Sequence, residues 1–317
     1  MTHQRGAALL AAMLTVTLVA TFASAALWQQ FRSIEVESSE RARVQSGWIL
    51  TGSLDWARLI LREDARAGGA DHLAEPWAVP LNEARLSSFL AADAGASDTD
   101  LKAFLSGQIS DVQARLNVAN LIEGSRLSPA GMASFTRLFE LLGLAPEPLS
   151  LMANRYLLSV QTPTTENRSS MPLRPERVEQ LAWLGMPSET LARLEPFITL
   201  LPIRTAINLN TASAEVIYAS TPGLSLADAQ RLVVARASSH FRNLTEADRV
   251  LSAQDQRFQN SSFSVASDFF EVLGRLRVEK TVVQERSLVQ REGLIVRTLW
   301  RDRISAPDFL ASTPVQR

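Results

Sequence analysis

From Ala7 to Trp28 the chain runs 22 residues without a charge, a proline or a glycine. At about 1.5 Å of rise per residue, a helix over this stretch reaches the hydrocarbon thickness of a bilayer. His3 and Arg5 precede it, which favours a cytoplasmic N-terminus. Such a run either anchors the chain or is removed. Ala23-Ser24-Ala25 fits the small-x-small site of a signal peptidase, and cleavage there leaves a soluble chain that starts at Ala26. Against removal, no proline follows until Pro76, and Leu27, Phe31 and Ile34 continue at helical spacing. Ile49, Trp56 and Ile60 share one face further on. One long helix is the better reading, apolar all round in its first half and amphipathic in its second.

The remainder has the composition of a folded protein. Of 317 residues, 46% are hydrophobic and 21% charged, and the formal net charge is −1. Bulk charge therefore points to no nucleic-acid partner. The absence of cysteine removes disulfides, thiolate metal sites and a cysteine nucleophile. The three histidines form no i, i+4 ligand pair, and there is no G-x-S-x-G, phosphate loop or dinucleotide fingerprint. Nothing points to an enzyme. Asp93, Asp98 and Asp100, with Asp111 beyond, offer oxygen ligands, but their spacing is not that of an EF-hand, and a solvated loop explains them as well.

Gly68-Gly69 ends the helical pattern, and Pro76 and Pro80 hold an extended connector. Ile109, Val112, Ala114, Leu116 and Val118 come close to alternating with polar neighbours, which predicts a strand closed by Asn117 and Asn120. From Ser128-Pro129, an N-cap followed by proline at the first helical position, to Arg257 the pattern is helical. Helices are expected after Ser128, at 149–160, 175–185 and 188–194. Strands return after Asn260, with Phe270, Val272, Leu276 and Val278 on one side and a turn at Glu292-Gly293. A lone strand pair is marginal in water, so the strands on either side of the helical block are expected to form one sheet.

The segment Ile207–Arg236 resembles a helix-hairpin-helix unit. Asn208, Asn210 and Thr211 lead in, with Asn210 or Thr211 as the expected cap, and Pro222-Gly223 makes the hairpin. In DNA-binding versions, hairpin N–H groups and the second helix N-terminus hold a phosphate. Here Ser225 stands where a second glycine is usual, and Asp228 sits in the first turn. Between Gly124 and Asn260 there are 13 arginines, 12 acids and no lysine, without the cationic cluster that duplex binding needs. The unit reads as a packing module, with DNA binding as the alternative.

Arg5-Gly6 ahead of the apolar run resembles the prepilin peptidase site of type IV pilins and type II secretion pseudopilins, with Ala7 as the first mature residue. The fifth mature position, glutamate in most of these subunits, is Ala11. That substitution, the stretch Trp48–Pro80, the series Asp111, Gln113, Arg115, Asn117, Asn120, Leu121, and the hairpin unit together resemble the minor pseudopilin K family of type II secretion. The resemblance implies an α+β fold: a long N-terminal transmembrane helix and a pilin-like antiparallel sheet, interrupted by an all-α insertion containing the hairpin unit. The expected boundaries are a leader over 1–6, the helix over 7–62 with 7–28 in the membrane, sheet segments over 63–123 and 261–303, the insertion over 124–260, and a tail over 304–317. It further implies a single-pass inner-membrane protein with its globular part in the periplasm. The implied role is at the tip of the secretion pseudopilus, beside minor pseudopilins I and J, after processing by prepilin peptidase. Nucleic acid is not an expected partner. Calcium in the globular region is implied by the resemblance alone.

Overall fold

A computed structural model describes residues 4–86, 103–162, 171–251, 258–278 and 281–304, with the side chains of residues 4–6 and Thr281 outside that description. Helix α1 spans Gln4–Ala67 without interruption. It runs through Gly47 and Gly52 and beyond the expected end at 62. It stops where Gly68 and Gly69 take φ of +67° and +122°, values that favour glycine. By contact density the chain forms two units, 1–53 and 54–317. In the first, every side chain from Ala7 to Gln45 is exposed. Its apolar run is long and hydrophobic enough to cross a membrane.

The second unit is built on a five-stranded antiparallel sheet in the order β1-β2-β3-β4-β5. The strands are β1 (Leu81–Arg85), β2 (Ala103–Asp111), β3 (Phe269–Val278), β4 (Thr281–Glu292) and β5 (Ile295–Ile304). Strands β2 and β3 are neighbours, with Ala103 opposite Val278 and Asp111 opposite Phe270. The chain thus leaves the sheet at Asp111 and rejoins it at Phe269. Gly293, with φ of +57°, closes the β4–β5 hairpin, in agreement with the Glu292-Gly293 turn. One sheet face, with Ile109, Phe270, Val272, Val289 and Val296, packs on Leu54, Ala57 and Leu61 of α1 and on Trp77 of the connector. On the other face Phe269 and Leu288 meet Val112 and Leu201.

The strand expected around Ile109–Val118 lies elsewhere. Pairing ends at Asp111, and two short 3-10 turns follow, Val112–Ala114 and Val118–Leu121, separated by a two-residue bridge. The alternation had a different cause. Gln113 and Asn117 point inward as the apolar residues do, and both are buried. They satisfy backbone groups of distant loops: Gln113 Nε2 donates to Ala206 O, Asn117 Nδ2 to Ile203 O, and Leu201 N to Asn117 Oδ1.

Between β2 and β3 the helices are α2 (Pro129–Leu141), α3 (Glu147–Val160), α4 (Ser188–Leu194), α5 (Ala214–Ser220), α6 (Leu226–Ser238) and α7 (Leu244–Val250). Ser128 caps α2, with Pro129 in the first turn, as the sequence predicts. The helix expected over 175–185 is instead a 3-10 segment, Val178–Leu184, stopped by Gly185 at φ +94°. A tight 3-10 coil suits this short piece, which has proline just before and after it. These elements share one hydrophobic core running from Leu116 to Phe263, with Phe135, Leu138, Ile217, Ala229 and Leu232 at its centre.

Candidate functional site

A densely connected polar group sits where the insertion meets the sheet. Arg291, on β4, holds it together. Its Nη1 is 2.6 Å from Asp64 Oδ2 on α1, and its Nη2 is 2.6 Å from Asp71 Oδ1 on the connector. The same Nη2 donates to Ser267 O at 2.7 Å. The guanidinium lies over the Phe270 ring, 4.8 Å from its centroid. Asp71 also accepts from Ser267 N at 2.6 Å, while its own N–H donates to Val265 O.

Asp111, the last residue of β2, is the second hub. Its Oδ2 accepts from Thr211 Oγ1 at 2.6 Å, Ser267 Oγ at 2.6 Å and Asn208 Nδ2 at 3.1 Å, and its Oδ1 accepts from Gln113 N at 2.8 Å. Asn208 Nδ2 also reaches Asp71 O at 3.1 Å, which joins the two hubs. Burial pushes the carboxyls of Asp111, Asp71 and Asp64 above the ordinary range. For Asp71 and Asp64 the Arg291 charge opposes this, and for Asp111 the Ser267 and Thr211 hydroxyls do.

Carboxylate oxygens of Asp64, Asp71 and Glu75 approach closely enough to share a metal ion. This cluster does not fit calcium. Arg291 already lies between the two aspartates, and Glu75 Oε2 accepts from His72 N at 2.7 Å and Trp77 Nε1 at 2.8 Å. Calcium asks for six to eight oxygen ligands around one point, and a fixed cation there excludes it. Asp93, Asp98 and Asp100 lie outside the described residues.

The hairpin residues divide their tasks. Asn208 and Thr211 belong to the polar knot. Asn210 braces the far side, donating from Nδ2 to Phe241 O and accepting from Phe241 N. Neither Asn210 nor Thr211 caps α5. Ser213 does, accepting from Val216 N, because the asparagine and threonine side chains are drawn to Phe241 and Asp111. Pro222 and Gly223 form the exposed turn, and Gly223 has φ of +76°. Ser225 and Asp228 make a capping box at the start of α6, so a side chain of the motif itself fills the place a phosphate would take. Asp228 is paired with Arg231. Arg236 donates to Leu209 O, and burial pushes its pKa down to about 10. Both basic residues of the hairpin unit are thus committed inside it, and the geometry does not favour DNA.

At the other end of the chain, Arg5, Gly6, Ala7 and Ala11 lie on the helical backbone of α1, and Ala7 and Ala11 are exposed. The hairpin asparagines and Asp111 were visible in the sequence. Asp64, Asp71, Ser267 and Arg291 were not singled out. One signal existed for Arg291: at period two it shares a face with Val289, a core residue, so a charge there needs buried partners.

An apolar helix long enough to cross a membrane thus leads into an antiparallel sheet split by a helical insertion. Two family models, both described as type II secretion system protein K, match residues 114–203 and 207–266. The type II secretion system protein K of Pseudomonas aeruginosa is 26% identical over 331 residues, covering 95% of this chain and 90% of that protein. Its counterpart from Klebsiella pneumoniae is 27% identical over 322 residues, covering 92% and 94%. The crystal structure of the GspK-GspI-GspJ complex from the enterotoxigenic Escherichia coli type 2 secretion system contains a chain of the same fold. Its TM-score is 0.59 at 17% identity, and the match covers 84% of this chain and 99% of that one. Through its insertion and along most of its length, the chain is similar to type II secretion system protein K.

Proposed function

We propose that this chain is a minor pseudopilin of the type II secretion K class, which spans the inner membrane once through residues 7–28, with its globular part in the periplasm. Prepilin peptidase cuts it between Gly6 and Ala7, and it then initiates or caps the pseudopilus that drives folded proteins across the outer membrane. Its partners on this reading are minor pseudopilins I and J, in keeping with the complex in which its structural neighbour was solved. Above all, the reading rests on one coincidence. The segments that match protein K make up the helical insertion, and the same chain carries an exposed, uncharged Ala7–Trp28 helix. The insertion adds a bulky body to a fibre subunit, which suits a terminal position better than a place within the stack. Ala11 agrees, since a subunit with no neighbour above it has no amine for a glutamate to neutralise.

The test is mass spectrometry of the mature chain from the producing cell. A terminus at Ala7 is expected. A terminus at Ala26, with the apolar helix gone, overturns the assignment. Co-purification of the full chain with I and J in detergent is the second readout.

A further inference from the structure

We propose that His72 and His240 form an acid-sensitive clasp between the connector behind α1 and the helical insertion, closed while the rings are neutral and opened when both are protonated. His72 lies in the connector, and His240 lies between α6 and α7. Their rings stack with centroids 3.7 Å apart and an interplanar angle of 13°. The N–H of Ala74 donates to His72 Nδ1 at 3.2 Å, so that nitrogen carries no proton in the closed arrangement. Protonating His72 breaks this bond and places a charge against the His240 ring.

Charged groups face the stack from both sides. Glu75 comes from the connector, and Arg242 and Glu246 come from the insertion. Both carboxylates already have partners. Glu75 accepts from His72 N and Trp77 Nε1, and Glu246 accepts from Arg242 N. They tolerate a first proton on the pair. A second would set two imidazolium rings face to face beside Arg242. Burial, then His72, then Arg242 hold His240 below its ordinary 6.5, with Glu75 and Glu246 pulling the other way.

Opening the stack strains nearby bonds. Asp71, one residue before His72, holds the connector to the segment before β3 through its N–H on Val265 O. Acid therefore loosens the connector at this point first, while the Asp111 hub stays intact. The clasp rests on the ring geometry and is independent of the secretion role.

The test uses the full chain in detergent micelles with isotope-labelled histidine. In the wild type, His240 is expected to titrate below 6.5. In His72→Gln its midpoint should rise by about half a unit, roughly a threefold gain in proton affinity. Amide exchange at Asp71, corrected for the intrinsic rate, should speed up about threefold between about pH 7.5 and 5.5, and not in His240→Phe, which keeps a ring without a charge. His240→Gln serves if the phenylalanine variant does not fold. An unchanged His240 midpoint in His72→Gln, or an equal acid response at Asp71 in the His240 variant, overturns the clasp.

Discussion

Arg291 is the residue on which the polar knot most depends. It neutralises Asp64 and Asp71 at a place that water does not reach freely, and both carboxyls already sit above their ordinary 3.8 because of burial. Replacing it with methionine leaves two acids without their cation, a loss of about 3–5 kcal/mol for a broken buried pair. The loss depends on pH. Without Arg291 the folded-state pKa of Asp71 rises further, so above 3.8 the folded chain holds a proton that the unfolded chain has released. Stability then falls as pH rises through that raised value. Urea midpoints of Arg291→Met should lie far below wild type near pH 8 and much closer to it near pH 4. Equal losses at the two pH values would count against the knot as an ionic structure. This site was only half legible beforehand. Asn208 and Thr211 were found through their motif, whereas Asp71 and Ser267 gain meaning only when loops far apart in sequence meet.

At the scale of elements, the signals that proved readable were local. Ser128-Pro129 starts α2 and the glycine pair after Ala67 stops α1, because caps and positive φ are properties of a few adjacent residues. Strand β2 was harder to see. Its early part, Ala103 to Gln108, carries Ser106 and Gly107 where β-branched residues would have marked a strand. Between the apolar residues that alternate stand buried hydrogen-bonding side chains, Gln113 and Asn117. Their turn, Val118–Leu121, presses on α2 at Gly131. A Cβ there would lie 2.3 Å from Asn120 O and 2.9 Å from Asn120 C. Gly131→Ala is a favourable change for an isolated helix, by about 1 kcal/mol. Here the backbone of the neighbouring turn must move, and overpacking of this kind costs about 1–3 kcal/mol. The packing term wins, so the variant should unfold at lower urea than wild type. A rise in midpoint would show that α2 and this turn are not in such close contact.

Among the described residues, the two larger hydrophobic cores lie one on each side of a thin junction. Among the described residues, the insertion core, from Leu116 to Phe263, draws on none from α1 or the five-stranded sheet. The sheet core, built on Phe270, Val272, Val289 and Val296 against the end of α1, draws on no described residue of the insertion. Joining them are the polar knot, Phe269 and Leu288 against Val112 and Leu201, the cation–π contact of Arg177 with Trp300, the ion pairs Arg177–Asp302 and Arg286–Glu179, and the His72–His240 stack. A helical body with its own closed core does not need the sheet in order to fold. Residues 112–268 expressed alone should therefore give a helical circular dichroism spectrum and a single cooperative urea transition. The separated piece loses the partners of Asn208, Thr211 and Ser267 on Asp71, Asp111 and Arg291, although it keeps Gln113. Replacing Leu201, which the sheet covers in the full chain, with a polar residue should improve its solubility without lowering its midpoint. A broad, non-cooperative melt would mean that the insertion core is completed only by the sheet, and that subunit and insertion fold as one.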